Sequence, residues 1–262
     1  VADAPGSRLA LVLDDAVDLD AVITGAREVG ALDHAAPLAS DPSRAREVRW
    51  GGRLQRAVVR VVPDGDDLLL RVETLVATEG WRAGLAHQAR LVADLAQVVA
   101  AGAAATPVVR DLSARRDRDR GWLERAAAGE LAVAEAVGID VEPGRWSWLA
   151  GHGAARFGVP DLELYGVPVE RIAAAESLLV HVVGALLERG LGAPLDDGRG
   201  RALRLVPVLE AWQHLPVERP GVGRAGRVRG PGLDGPRATL SVLHRRRLGR
   251  HRLDLTGVVD AL

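Results

Sequence analysis

A chain of 262 residues can bury a full core and stands between one elaborated domain and two small ones. Its 48% hydrophobic and 26% charged residues, with a formal net charge of −1, describe an ordinary globular composition and give no global electrostatic case for a nucleic-acid or membrane partner. The absence of cysteine excludes disulfides, cysteine nucleophiles and thiolate metal sites, so any metal would need His, Asp and Glu.

Lys, Asn and Met are also absent, and Ile occurs only at 23, 139 and 172, which is the codon bias of a GC-rich bacterial genome. All 34 basic residues are therefore Arg, and their abundance is not a sign of phosphate recognition. No apolar run reaches the roughly 18 to 20 residues that cross a bilayer. The opening V-A-D-A-P-G-S-R lacks the basic-then-apolar layout of a signal peptide, and a cytoplasmic location is the expectation.

In chain order, Arg8–Leu13 reads as a buried strand and Val17–Val29 as an amphipathic helix with apolar residues at 19, 22, 23, 26 and 29, closed by Gly30 as its C-cap. A loop over Pro37–Ser43 leads to three consecutive strands, Glu47–Trp50, Gln55–Val62 and Leu68–Leu75. The turns between them, Gly51-Gly52 and Pro63–Asp66, have hairpin chemistry. The longest helix runs from Trp81 to about Ala101, opened by Thr78 and Glu79, with Trp81, Leu85, Val92, Leu95 and Val99 on one face. A short strand over Pro107–Arg110, a polar run Ser113–Arg120 and a helix Trp122–Ala128 follow.

This order of strand, helix, strands, helix, strand is that of a ferredoxin-like α+β unit with an extra hairpin strand, an antiparallel sheet with helices on one face. In the second half, Arg145–Leu149, Asp161–Tyr165, Ala202–Leu209 and Ala238–His244 are strand-like. Val169–Arg189 is a strong helix with apolar positions at 172, 175, 179, 182, 183, 186 and 187. The partial recurrence suggests two related lobes. The expected organisation is a ferredoxin-like unit over 1–129, a second α+β unit over 130–219, and a Gly, Pro and Arg-rich loop with a terminal strand over 220–262. Within the last region Pro220–Pro236 has no apolar period and reads as an irregular, mobile loop.

The segment Trp146–Val167 concentrates rare residue types: two of the six Trp, the single Phe157, the single Tyr165, His152, and acids at alternate positions 161 and 163. As a strand, Asp161–Tyr165 would set Asp161, Glu163 and Tyr165 on one face and Leu162 and Leu164 on the other. Trp146 and Trp148 would likewise share a face, with at least one ring buried. Two carboxylates about 7 Å apart can hold a divalent ion or tune each other's acidity, and a solvated polar face gives the same pattern. Gly151, Gly153 and Gly158 match neither the dinucleotide nor the P-loop spacing and read as turn glycines.

No His pair lies at helical i, i+4 spacing, and His181 reads as a cap or a core-lining residue. No G-x-S-x-G supports a serine nucleophile at Ser147 or Ser177. The basic run Arg245–Arg252 lacks interleaved aromatics and reads as a solvated or protected edge rather than a nucleic-acid surface.

Together with R-D-L-S-A-R-R-D-R-D-R-G-W-L-E over Arg110–Glu124, the H-G-A-A-R-F-G-V-P-D-L-E-L-Y-G-V segment resembles a group of uncharacterised, actinobacterial-type proteins. In those a tryptophan-rich strand leads into H-G-x-x-x-F-G-x-P-[DE]-[LI]-E-[LIV] and then an Ala and Leu-rich helix. The matching positions are Trp146, Trp148, His152, Gly153, Phe157, Gly158, Pro160, Asp161, Glu163 and the helix from Val169, and the resemblance covers residues 8 to 215. It implies an α+β fold and carries no activity.

The expected role is a non-catalytic binding or regulatory module, of a kind suited to toxin neutralisation or stress-linked regulation. It would take a protein partner or a small ligand through His152, Arg156, Asp161, Glu163, Tyr165 and Trp148, with no cofactor and no bound metal. The alternative is a metal-assisted hydrolase built on His152, Asp161 and Glu163.

Overall fold

The computed structural model describes residues 6–13, 17–51, 55–74, 80–102, 107–144, 146–212, 237–242 and 254–262. The chain has a mixed α+β architecture with two sheets and divides into two units, Val1–Glu135 and Ala136–Leu262. Among the described residues no helix is long and apolar enough to cross a membrane.

The first unit runs β1 (Ser7–Leu13), α1 (Leu19–Glu28), β2 (His34–Pro37), β3 (Ala45–Trp50), β4 (Gln55–Asp64), β5 (Asp67–Thr74), α2 (Trp81–Gly102), β6 (Val109–Asp111), β7 (Arg116–Arg118) and α3 (Arg120–Ala128). Its seven strands lie in the order β2-β3-β4-β5-β1-β6-β7, every neighbouring pair antiparallel. Period-2 alternation gives β1 a buried face of Ser7, Leu9, Leu11 and Leu13, in register with Thr74, Val72, Leu70 and Leu68.

Both long helices of this unit cover that face. Buried Gln88 on α2 accepts from the Ser7 hydroxyl and donates to the carbonyls of Ser7 (2.8 Å) and Val72 (3.1 Å), which fixes α2 over β1 and β5. Arg46 of β3 donates from Nε to Asp20 of α1 at 2.9 Å. The two helices approach so closely that a Cβ at Gly25 would stand 2.8 Å from Val98 Cγ1. Asp18 and Asp119 cap α1 and α3 by accepting from the amides of Asp20 and Trp122.

Strands β2 and β7 leave no mark in the sequence for one reason: neither carries a hydrophobic alternation. His34–Pro37 pairs with β3 at the sheet edge with exposed ends, and Arg116–Arg118 pairs with β6. The charges of the second run are spent inside the unit. Arg110 grips Asp117, Asp67 and Asp64 at 2.9, 2.9 and 3.1 Å, and Asp111, fully buried, takes the Ala114 amide and Arg118.

After α4 (Val133–Ala136), whose first three residues close the first unit, the second unit holds β8 (Gly138–Glu142), β9 (Ser147–His152), β10 (Asp161–Val167), α5 (Ile172–Arg189), β11 (Leu195–Asp196), β12 (Ala202–Pro207), α6 (Val208–Trp212), β13 (Arg237–Val242) and α7 (Thr256–Asp260). Its six strands lie in the order β11-β12-β13-β10-β9-β8.

Two expectations change here. The sheet is mixed rather than antiparallel, because β13 runs parallel to β10. Its strand order is not that of the first sheet, so the halves do not repeat one motif. The strand expected over Ala238–His244 is β13, Arg237–Val242, and it lies in the interior of the sheet between β12 and β10. At the helix start, Val169–Arg171 is a 3-10 turn and α5 begins at Ile172. Leu179, Val183 and Leu186 of α5 are buried, and α5 packs on β9 and β10. The segments Pro220–Pro236 and Arg245–Arg252, like Thr78 and Glu79, lie outside the described residues.

Candidate functional site

Strands β9 and β10 form an antiparallel pair with Glu163 opposite Ala150 and Leu164 opposite Leu149, while β10 and β13 pair in parallel with Asp161 beside Arg237 and Glu163 beside Thr239. Alternation therefore gathers Trp148, Ala150 and His152 with Asp161, Glu163 and Tyr165 on one face, and Arg237 joins them from β13. Leu162 and Leu164 fill the opposite face, as the pattern predicts. Both faces are buried along all of β10, and a solvated polar face is thereby ruled out for these acids. Gly151 is needed where the strands approach, since a Cβ there would lie 2.9 Å from the Leu162 carbonyl oxygen.

Glu163, 1% exposed, is the hub. One carboxyl oxygen accepts from the Tyr165 hydroxyl and from Trp148 Nε1 at 3.1 Å; the other accepts from Arg237 Nε. The Trp148 and Tyr165 rings stack with centroids 6.2 Å apart and an 11° interplanar angle, and Leu255 packs against them. Arg237 also donates from Nη2 to the Gly151 carbonyl at 3.1 Å, and its Nη1 lies 3.7 Å from Asp161 Oδ2. Thr239 donates to the Glu163 backbone carbonyl at 2.6 Å, which ties β13 to β10 at the same level. A buried carboxyl with three donors, one of them from a guanidinium, is a satisfied acceptor. Trp146 precedes β9 and is 41% exposed, so only Trp148 of the predicted pair is buried.

Asp161 plays a different part. The 3-10 turn Ala155–Phe157 after β9 turns the amides of Ala154 and Ala155 toward Asp161 Oδ1 at 2.8 and 3.1 Å. Donors that would cradle an external anion in a glycine-rich loop are occupied by the chain's own carboxyl. Burial pushes the Asp161 pKa up to about 6, against the opposing pull of Arg237, the two amides and Arg156. Arg156 is itself buried, donates to the Ala136 carbonyl at 2.5 Å and lies over the Phe157 ring with Cζ 4.7 Å from its centroid.

His152 is 3% exposed, and its Nε2 lies 3.0 Å from Asp140 Oδ2 on the neighbouring strand β8. The carboxylate partner of His152 is thus Asp140, not Asp161 or Glu163. His181 is on the exposed side of α5, 3.5 Å from Asp196 Oδ1, away from this cluster. Among the described residues no three His, Asp or Glu side chains converge as an ion would require. Ser147 is buried and Ser177 donates to the Ala173 carbonyl on its own helix.

Trp148, His152, Asp161, Glu163 and Tyr165 stand out in the sequence, whereas Arg237 and Asp140 do not. Asp140 sits in a five-residue strand, G-I-D-V-E, too short and too little buried to stand out in the sequence. Arg237 carried no signal, because its partner lies 74 positions away and across a parallel pairing. No family model matches the chain, and no curated protein or solved structure matches it.

Proposed function

We propose that this chain is a non-catalytic binding module, taking a protein partner or a small ligand, with the Glu163 network as the internal lock of its C-terminal unit. The observation that carries this reading is the state of Glu163. Both of its oxygens are engaged by Tyr165, Trp148 and Arg237, and it is out of reach of solvent. A general base or a metal ligand needs a lone pair directed at an open position and a route for water. The engagement of Asp161 by two amides and of His152 by Asp140 supports the same reading over a metal-assisted hydrolase.

We also read the first unit as ferredoxin-like. The run β4-β5-β1-β6 has the strand order and all-antiparallel sense of a split βαβ sheet, α1 and α2 are its two crossovers, and the β2-β3 hairpin extends the edge. Such a scaffold serves many activities, so the functional argument stays with the C-terminal network. The test is calorimetric titration of the full chain with zinc and with manganese. No heat above dilution is expected. Sub-micromolar binding abolished by His152→Ala would replace the binding-module reading with the hydrolase.

A further inference from the structure

We propose that the cleft between α5 and the β11–β12 hairpin binds a small organic carboxylate with an apolar body. The inference gives the binding-module reading a place and a ligand class, and it rests on that reading. The cleft has a volume of about 340 Å³ and lies wholly within the second unit. That is within the range of roughly 300 to 1,000 Å³ typical of small-molecule sites. Its wall is apolar, formed by Ala174, Leu178, Leu203 and Val258, while Ser177, His181, Arg199 and Arg201 stand among its polar lining.

The hairpin loop is built to hold those polar groups in place. Asp196 Oδ1 accepts from the Gly198 amide at 2.8 Å, and Asp197 Oδ1 accepts from the amides of Arg199 and Arg201 at 3.0 and 2.9 Å. Gly198, at φ +77, takes a conformation closed to most side chains, and it lies against His181: a Cβ there would be 3.8 Å from Nε2. The loop is thereby seated on the helix that forms the other wall.

The charges at the mouth are not equivalent. Asp197 is buried enough to oppose its ionisation, yet the Arg201 and Arg199 amides and the Arg201 charge outweigh this and hold its pKa below the ordinary carboxylate range. Its Oδ2 takes Arg201 Nη2 at 3.1 Å, and Arg201 Nη1 is committed to the Gly257 carbonyl at 2.8 Å. Asp197 and Arg201 therefore neutralise each other as a strut. Arg199 makes a single side-chain bond, from Nη1 to the Ala261 carbonyl at 3.1 Å, and its Nε and Nη2 have no partner among the described residues. That leaves a planar fork on a residue of the cleft lining, the geometry that takes a carboxylate in two parallel bonds. The hydrocarbon of such a ligand would then lie on Leu178, Leu203 and Val258.

The experiment is a titration of the full chain with hexanoate and benzoate, and with hexanamide and benzamide as uncharged matches, followed by calorimetry and by ligand-observed NMR. Dissociation constants of the order of 1 mM are expected for the carboxylates, as befits ligands of so few atoms, with the amides about tenfold weaker. Arg199→Gln, at an exposed position, should weaken the carboxylates about tenfold and leave the amides unchanged. Ser177→Phe, on the exposed side of α5, should fill the cleft and remove both. Circular dichroism checks that each variant is folded.

Amides binding as tightly as carboxylates, silence toward all four compounds at about 20 mM, or unchanged affinity in both variants would overturn the proposal. Carboxylate binding in a protein that also binds zinc tightly would keep this inference and remove the non-catalytic reading. Silence toward carboxylates with no metal heat would do the reverse.

Discussion

Replacing Asp161 by Asn tests the electrostatics of the buried network directly. The amide side chain keeps the Oδ1 acceptor for the backbone N–H groups of Ala154 and Ala155 and the volume of the carboxyl; it removes the charge and turns the Oδ2 acceptor facing Arg237 into an NH2 donor, a cost that is the same at every pH and drops out of the pH dependence. Two effects compete over that charge. Burial disfavours it, while Arg237 Nη1 at 3.7 Å and two N–H donors favour it. The balance leaves the folded-state pKa near 6 against an ordinary value of 3.8, so burial wins.

Because the folded pKa is the higher one, the folded chain binds this proton more tightly than the unfolded chain between about pH 4 and pH 6. The stabilisation is complete below about pH 4 and is lost as pH rises through 6, a difference of about 2 in pKa, or about 3 kcal/mol at 1.36 kcal/mol each. The substituted side chain cannot titrate. The stability of Asp161→Asn relative to the parent should therefore rise by about 3 kcal/mol from pH 4 to pH 7.5, every other titrating group cancelling in the difference. Urea unfolding followed by tryptophan fluorescence at a series of pH values reads it. A flat difference would mean that Arg237 and the amides cancel burial, and a variant that loses stability relative to the parent as pH rises would mean that they outweigh it; either result refutes the reasoning.

Glu163→Ala should cost about 3 to 5 kcal/mol, since it leaves the Arg237 guanidinium buried without its main partner and strips an acceptor from Trp148 and Tyr165, whereas Glu163→Gln should cost less by keeping that acceptor. Urea midpoints that place Ala and Gln together within about 1 kcal/mol of the parent would show that the network does not hold the sheet. Leu179→Ala, at a site 1% exposed under β9 and β10, should cost about 2 to 4 kcal/mol, and an unchanged midpoint would remove α5 from the core.

What the sequence makes legible follows the strength of local periodicity. Helix α5 and the strands β1, β4, β5 and β10 repeat apolar residues at the spacing of their own geometry, and the sequence places them to within a few residues. The edge strands β2 and β7 and the short strands β8 and β11 escape it, because an edge or a length of two to five residues leaves too little buried area to impose a pattern. Direction is less legible still. Whether β13 runs parallel or antiparallel to β10 depends on the path of the chain between them, and nothing in R-A-T-L-S-V specifies it.

The parallel pairing also decides the chemistry of the site. Alternation along β10 places Asp161, Glu163 and Tyr165 on one face, and that fact alone does not separate a metal centre, a solvated face and a buried network. Arg237 separates them. Register with Asp161 brings its guanidinium onto both acids and gives the buried side chains a cation that makes an ion superfluous. The same logic applies to His152, whose partner Asp140 comes from a strand too short to announce itself. In both cases the residue that fixed the meaning of the motif lay outside the motif, on a neighbouring strand. A local window can nominate titratable groups, but their protonation and availability are set by partners that only strand order and register bring beside them.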